Sequence, residues 1–351
     1  MSDGSRRADD FQNSLRARSS GARRRIVFAE GTDSRVLDAV ATIVTEKLAH
    51  PILIGPPEEI RGALAHRFSR ASPVGVSVRD VNDSALIQAT YAHIAARRIG
   101  RNDEPEALEH MARDPLMQAG SMVANGEADG AVAGAVHTTA DVVRAALVTL
   151  GLAAGLETLS SAFYMVFGDG HPSGPAVLTF TDAGVVPDPN SQQLADIAYA
   201  AAVARSQVVG DDARVGFLSY STAGSAEGPS VTRVREALRL FRRRSPDIAA
   251  DGELQGDAAL SAAVARRKIP GSTVAGHVNV LVFPDLDAAN IAYKLVQHLG
   301  GALALGPILQ GLASPFNDLS RGAVAEEIVD VACITALMAG APAVRAGPLP
   351  M

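Results

Sequence analysis

The chain reads as an α/β protein built on parallel sheets, and three observations predict this. RIVFAEG (25–31) is a short β-rich run ending in glycine, an amphipathic helix follows, and PILIG (51–55) returns as a second apolar run, making a β-α-β unit. The same succession of apolar strand, loop and helix recurs at ADGAVAGAV (128–136), RVGFLSYS (214–221) and VNVLVFP (278–284). These runs are continuously apolar rather than alternating, as expected of strands covered by helices on both faces.

Taken in order, residues 1–24 form a polar tail rich in Ser, Arg, Asp and Gly, with too few apolar side chains to fold alone, so a flexible N-terminus is expected. Its arginines suggest a targeting peptide only superficially, because Asp3, Asp9 and Asp10 are out of place in one. After the first strand, Val36, Leu37, Val40, Val44 and Leu48 lie on one stripe of a helix. A second helix is expected over Ala85–Arg98, where Arg97 and Arg98 suit the negative end of the helix dipole. The run at 128–136 leads into HTTADVVRAAL (137–147), in which Thr138 or Thr139 can cap a helix and Arg144 follows about one turn later. On residue physics alone this is a threonine cap with a surface arginine.

The most informative stretch is Gly306–Asp330, GPILQGLASPFNDLSRGAVAEEIVD. A Gly-Pro turn and an apolar run lead through Asn317-Asp318 to Ser320 and Arg321, at the start of a long apolar helix. Backbone N–H groups at a helix start attract anions, and arginine adds a planar fork of donors matched to phosphate. Glu327 follows within about two turns, near enough to serve as a general base, with Glu326 beside it as a rival.

Composition narrows the classes. The 351 residues are enough for two domains, and a core without Trp and with 4% aromatics must be built from Ala, Val, Leu and Ile. A net charge of −6 argues against a dedicated nucleic-acid protein. The single cysteine, Cys333, excludes an intrachain disulfide and a multi-cysteine metal site. No apolar run reaches the roughly 18 residues of a membrane span, and no secretory signal is visible, so no membrane partner and a cytoplasmic location are expected. DGELQGD (251–257) gathers Asp251, Glu253 and Asp257, but not at the spacing of a calcium loop, and the eight histidines show no metalloprotease pairing, so no metal is expected. FLSYSTAGSAEG (217–228) lacks the Gly-Lys-Ser/Thr end of a phosphate-binding P-loop, and no GxGxxG follows a strand.

NDLSRG (317–322), with an acid just before Ile328-Val329, resembles the signature of the phosphate acetyl/butyryl transferases. VAGAVHTTADVVRAAL (132–147), FTDAGVVPDPNSQQLADIA (180–198), FLSYSTAGS (217–225), DGELQGDAA (251–259), PGSTVAGHVNVLVFPDLDAANIAYKLVQ (270–297) and GPILQG (306–311) resemble that family's segments in the same order. The resemblance runs from Arg25 to about Leu337 and is carried by many motifs together rather than by any one.

It implies two α/β domains with a cleft between them, like the isocitrate and isopropylmalate dehydrogenases, with crossings near Gly151 and Gly300-Gly301: residues 25–151 plus 301–351, and 152–300. It implies reversible acetyl transfer between coenzyme A and inorganic phosphate, CoA, acetyl-CoA, phosphate and acetyl phosphate being substrates, with no cofactor required, and a homodimer paired through the middle domain. Phosphate butyryl transfer, or a non-catalytic effector-binding module like that fused to malic enzymes, are the alternatives. By the same resemblance His137, Thr138, Thr139 and Arg144 bind phosphate or CoA, and Arg98 pairs with a CoA phosphate. Ser320 contacts the reacting thiol or acyl group, Arg321 holds the acyl phosphate, and Glu327 takes the thiol proton. Three positions depart from the family: Ala145 stands where it usually has Pro, Glu327 where it usually has Asp, and Ala223 where it often has Lys.

Overall fold

The computed structural model describes residues 6–68, 75–168 and 176–340. Its elements, in chain order, are α1 (Arg6–Ala22), β1 (Arg25–Phe28), α2 (Ser34–Thr45), β2 (His50–Ile54), α3 (Pro57–Arg67), β3 (Ser77–Arg79), α4 (Ser84–Arg97), α5 (Pro105–Ala112), α6 (Pro115–Ala124), β4 (Gly130–Ala133) and α7 (Thr139–Thr149). There follow β5 (Ser160–Val166), β6 (Val177–Thr181), α8 (Ser191–Val208), β7 (Arg214–Leu218), α9 (Pro229–Arg244), β8 (Ala249–Leu254), α10 (Gly256–Leu260), α11 (Ala262–Lys268), β9 (Val280–Val282), α12 (Leu286–Gly300) and β10 (Leu303–Gln310). The chain closes with β11 (Phe316–Asp318) and α13 (Ala325–Met338).

Two compact units result: Asn13–Ala153 joined by the chain from Leu312 through α13, and Ala154–Gly311. The first is built on a five-stranded sheet, β11-β4-β1-β2-β3, parallel throughout. Ile26, Val27, Phe28, Ala131 and Val132 are all buried, which is why β1 and β4 read as unbroken apolar runs. On α2 the buried stripe is Val36, Leu37, Ala39, Val40 and Ile43; Asp33 caps the helix by accepting from Arg35 N at 2.9 Å. The α4 helix ends one residue before Arg98, which is its C-cap.

The second unit carries a six-stranded sheet, β10-β5-β6-β9-β7-β8. Here the expectation of purely parallel sheets needs correction: β5 runs antiparallel to both β6 and β10, while β6, β9, β7 and β8 are parallel. All seven residues of β5 are buried, so nothing in its pattern betrays its direction.

Two further expectations differ from the structure. Within the stretch read as a tail, Arg6–Ala22 is helical; Leu15 and Ser19 are fully buried, and the Ser19 hydroxyl donates to the Leu48 carbonyl at 2.9 Å. Arg16 adds ion pairs to Glu46 and Glu326, so a few contacts hold the helix on a surface already made by other elements. The second crossing lies after Gly311 rather than at Gly300-Gly301, since β10 completes the six-stranded sheet beside β5. Gly301 instead ends α12 in the left-handed conformation, with φ of 65°.

Candidate active site

In an open α/β sheet, ligands gather at the carboxyl ends of the strands, where the strand order reverses. In the first unit that point lies between β1 and β4: the chain proceeds outward from β1 to β2 and β3, then returns to β4 on the other side. The loop after β1 carries Glu30 and Asp33, and the loop after β4 carries Ala135–Thr138. β11, beside β4 in parallel register with Asp318 opposite Ala133, delivers Ser320 and Arg321 at the same end.

Glu30 organises the loop after β4. Its buried carboxylate accepts from Ala135 N at 2.7 Å and from Val136 N and His137 N at 2.8 Å each. The His137 ring also places Nδ1 at 2.8 Å from Oε1 of Glu30. That oxygen already accepts two backbone N–H groups, so Nδ1 is suited to donate, leaving Nε2 as the ring's outward atom. His137 therefore meets any ligand through its ring edge, and its own N–H is not part of an anion cradle.

At the start of α7, Thr138 is the cap and Thr139 the first helical residue. Thr138 Oγ1 accepts from Asp141 N at 3.2 Å, and its hydroxyl lies 2.6 Å from Asp141 Oδ2. Arg144 pairs with the same Asp141 at 3.1 Å and is otherwise largely exposed. Hydrogen bonding to Thr138 is the main reason the Asp141 carboxyl is held below its ordinary range, so this helix start already faces one carboxylate. The N–H groups of Thr139 and Ala140 are the first two of the helix and have no intrahelical partner. The Thr139 hydroxyl lies 2.6 Å from Asp318 Oδ2.

The Ser320-Arg321 turn lies before the helix rather than at its cap, which is Val324. Ser320 Oγ accepts from Gly322 N at 3.3 Å. The Arg321 side chain is exposed, and its guanidinium has no hydrogen bond or ion pair among the described residues. Glu327 accepts from Val324 N at 3.1 Å, capping its own helix with one oxygen, whereas Glu326 pairs with Arg16 on α1. The two candidate bases therefore have different surroundings, one facing a backbone N–H and the other a guanidinium.

Arg35 ties the pieces together. From the first turn of α2 it donates to Arg321 O at 2.7 Å, Ala323 O at 3.3 Å and Ala135 O at 2.7 Å, and it is held by Asp33 at 2.8 Å. Glu30, Asp33 and Arg35 were not singled out by motif; the available signal was a run of acids and an arginine, AEGTDSR, directly after the first strand, whereas Asp318 stood inside the NDLSRG motif without an assigned role.

The other candidates have partners of their own. Arg98 is gripped by Asp103 through two contacts of 2.7 Å, so a CoA phosphate would have to share or displace that carboxylate. Cys333 is buried in α13, and burial pushes its thiol up to about 12, which makes it a poor nucleophile. In the second unit, Glu253 is buried and held down at about 2. Burial acts in the opposite sense and is overcome by Arg235, Gly224 N and Ser221, so this acid braces the 219–228 loop. Asp251 and Asp257 turn instead to Arg242 and Lys268. Among the described residues no three His, Cys, Asp or Glu side chains are grouped as metal ligands, and no helix is long and apolar enough to cross a membrane.

The family described as Phosphate acetyl/butaryl transferase matches residues 10–336. The phosphate acetyltransferase of Paracoccus denitrificans is 45% identical over 315 residues, covering 90% of this chain and 94% of that protein. The crystal structure of a phosphotransacetylase from Streptococcus pyogenes superposes with a TM-score of 0.87 at 38% identity, over 94% of this chain and 98% of that one. At the level of fold alone, the chain also matches a Salmonella typhimurium protein provisionally named a 4-hydroxythreonine-4-phosphate dehydrogenase. The TM-score is 0.52 at 10% identity, over 90% of this chain and 99% of that one, in keeping with a dehydrogenase-like α/β fold.

Proposed function

The chain belongs to the phosphate acetyl/butyryl transferase family, and from that premise we propose that it is an acyltransferase moving an acetyl group reversibly between coenzyme A and inorganic phosphate. The observation that carries the reading is the exposed Arg321 guanidinium beside Ser320, held at the carboxyl end of the parallel sheet next to the start of α7. An unpaired guanidinium near two free helix N–H groups suits a phosphoryl group, which it can grip with two parallel hydrogen bonds.

In this reading acetyl phosphate lies with its phosphoryl oxygens on Arg321 and on Thr139 and Ala140 N–H, with Thr138, Arg144 and His137 Nε2 around it. Glu327 accepts the CoA thiol proton; the thiolate then forms the new S–C bond, the C–O bond to phosphate breaks, and phosphate leaves. The Ser320 hydroxyl donates to the carbonyl oxygen as charge develops there. Catalysis comes from positioning and fixed donors, without a covalent enzyme intermediate. Arg98 is assigned to a CoA phosphate in exchange for Asp103. No cofactor is required in this scheme.

The reading extends to a cytoplasmic homodimer. CoA-dependent transfer supports the location, and a stripe of exposed Ile291, Leu295 and Leu299 along α12 supports the pairing. The activity is tested by mixing the purified protein with CoA and acetyl phosphate or butyryl phosphate and following thioester absorbance. Faster thioester formation from acetyl phosphate supports the reading. A preference for butyryl phosphate would reassign the acyl group, and no thioester from either would refute acyl transfer.

A further inference from the structure

We infer that Asp318 is a positioning residue for Thr139, deciding whether the Thr139 hydroxyl can donate to the phosphoryl group. The inference rests on the acetyl-transfer reading and deepens it by assigning the orientation of one ligand-facing hydroxyl. Asp318 ends β11 and is 1% exposed. Its Oδ2 lies 2.6 Å from Thr139 Oγ1, and its Oδ1 has no hydrogen-bond partner. Oδ1 sits where a side chain at position 134 would begin: a Cβ built on Gly134 would lie 2.3 Å from it, and Gly134 has φ of +105°.

A contact of 2.6 Å between two oxygens needs one hydrogen between them. If the carboxyl is ionised it can only accept, so the threonine hydrogen points inward and only lone pairs face a phosphate. If the carboxyl is protonated it donates to Oγ1, and the threonine hydrogen is released to bond the anion. The unpartnered Oδ1 of this buried carboxyl favours the neutral form, because an ionised carboxylate here would leave that oxygen's charge uncompensated. Burial pushes the carboxyl up to about 6; the Thr139 hydroxyl and the Leu319 N–H oppose the shift and the charge of Glu30 adds to it.

Around Asp318, β4 carries no charged residue. The α7 helix offers Thr139, with Asp141 and Arg144 turned to each other. On α13, Glu326 pairs with Arg16, Glu327 caps the helix, and Asp330 lies in the field of Arg16. Glu30, bonded to His137, is the charged neighbour whose field raises the Asp318 carboxyl. The pair is thus built to present a donor below the Asp318 titration and an acceptor above it.

The test compares wild type, Asp318→Asn, Thr139→Val and the double variant from pH 5 to 8. Two quantities are read: the KM for acetyl phosphate, and the thermal stabilisation given by inorganic phosphate alone. Asp318→Asn cannot ionise, and with its amide N–H turned to Oγ1 it donates at every pH, which leaves the hydroxyl facing the ligand. At pH 8 this variant should bind both anions about tenfold more tightly than wild type, the size expected of one hydrogen bond to a charged group. The two proteins should converge at pH 5, with kcat little changed. In the Thr139→Val background the Asp318→Asn effect should vanish. Ratios between variants cancel the titration of phosphate itself. A ratio independent of pH, or one that survives in Thr139→Val, would overturn the inference. If Asp318→Asn fails to fold, Thr139→Val against Thr139→Ser decides, since only the serine should retain the wild-type pH dependence. If wild type makes no acetyl-CoA, the proposed function fails, while phosphate stabilisation still reports on the Asp318–Thr139 pair.

Discussion

Arg35 donates to the carbonyl of Arg321 at 2.7 Å, across 286 residues of sequence. The same guanidinium holds Ala135 O at 2.7 Å and is itself fixed by Asp33. One side chain therefore sets the turn carrying the exposed arginine against the loop that opens α7. Replacing it by alanine strips charged donors from three carbonyls while leaving the proposed substrate contacts in place. Arg35→Ala is expected to fold but lose about 10²-fold in kcat, the scale of a misplacement near 1 Å, and about 1–3 kcal/mol of stability. Arg35→Lys should recover little, because an ammonium cannot span the same carbonyls. A folded Arg35→Ala with undiminished turnover would remove the clamp from the account.

Glu327→Gln separates capping from catalysis. The amide oxygen can still accept from Val324 N–H, so the melting temperature should barely move. The rate should fall sharply near pH 7 and recover toward pH 9, where CoA, with a thiol near the ordinary value of about 8.5, ionises unaided. Glu326→Gln breaks an exposed pair with Arg16, worth at most about 1 kcal/mol, and should keep its rate at all pH values. If the pH-dependent loss appears in Glu326→Gln instead, the base is misassigned by one residue.

Asp318 also makes a stability prediction. Its folded-state value of about 6 lies above the ordinary 3.8, with burial as the largest cause. The folded state then holds this proton more tightly than the unfolded chain. The contribution is fully present below about 3.8 and is lost as pH rises through about 6. A shift of about two units corresponds to ~3 kcal/mol. Asp318→Asn cannot ionise, so its urea midpoint should gain on that of wild type across this window and then level off. Parallel midpoints at every pH would show that the carboxyl titrates normally.

Much of the fold was legible because buried parallel strands announce themselves. β1, β4, β7 and β9 fall inside the apolar runs, β2 starts one residue before its run, and α4 ends at Arg97 against an expected Arg98. What escaped depends on tertiary contact. The docking of α1 rests on Leu15, Arg16 and Ser19, too few residues to register as a pattern. The direction of β5 leaves no trace in a strand buried on both faces. At the candidate site the motif residues were visible as residue types. Their supports were not, because Glu30, Arg35 and Asp318 act through hydrogen bonds to loops more than a hundred residues away. The start of α13 was placed too early, since the chain turns at Gly322 and caps at Val324 before the helix begins.

The exposed stripe of Ile291, Leu295 and Leu299 on α12 predicts self-association. Sedimentation at micromolar concentration should give about twice the chain mass of 36.3 kDa, and placing Glu at Ile291 and Leu295 together should shift it toward one. A wild-type mass of a single chain would contradict the dimer.

The central claim is that Arg321 grips the phosphoryl group during acetyl transfer, and initial rates of acetyl-CoA formation from acetyl phosphate and CoA test it most directly. Wild type should turn over; Arg321→Ala, shown folded by its unchanged melting curve, should be slower by about 10²-fold or more, with Arg321→Lys recovering little. A folded Arg321→Ala that forms acetyl-CoA at the wild-type rate would contradict the account.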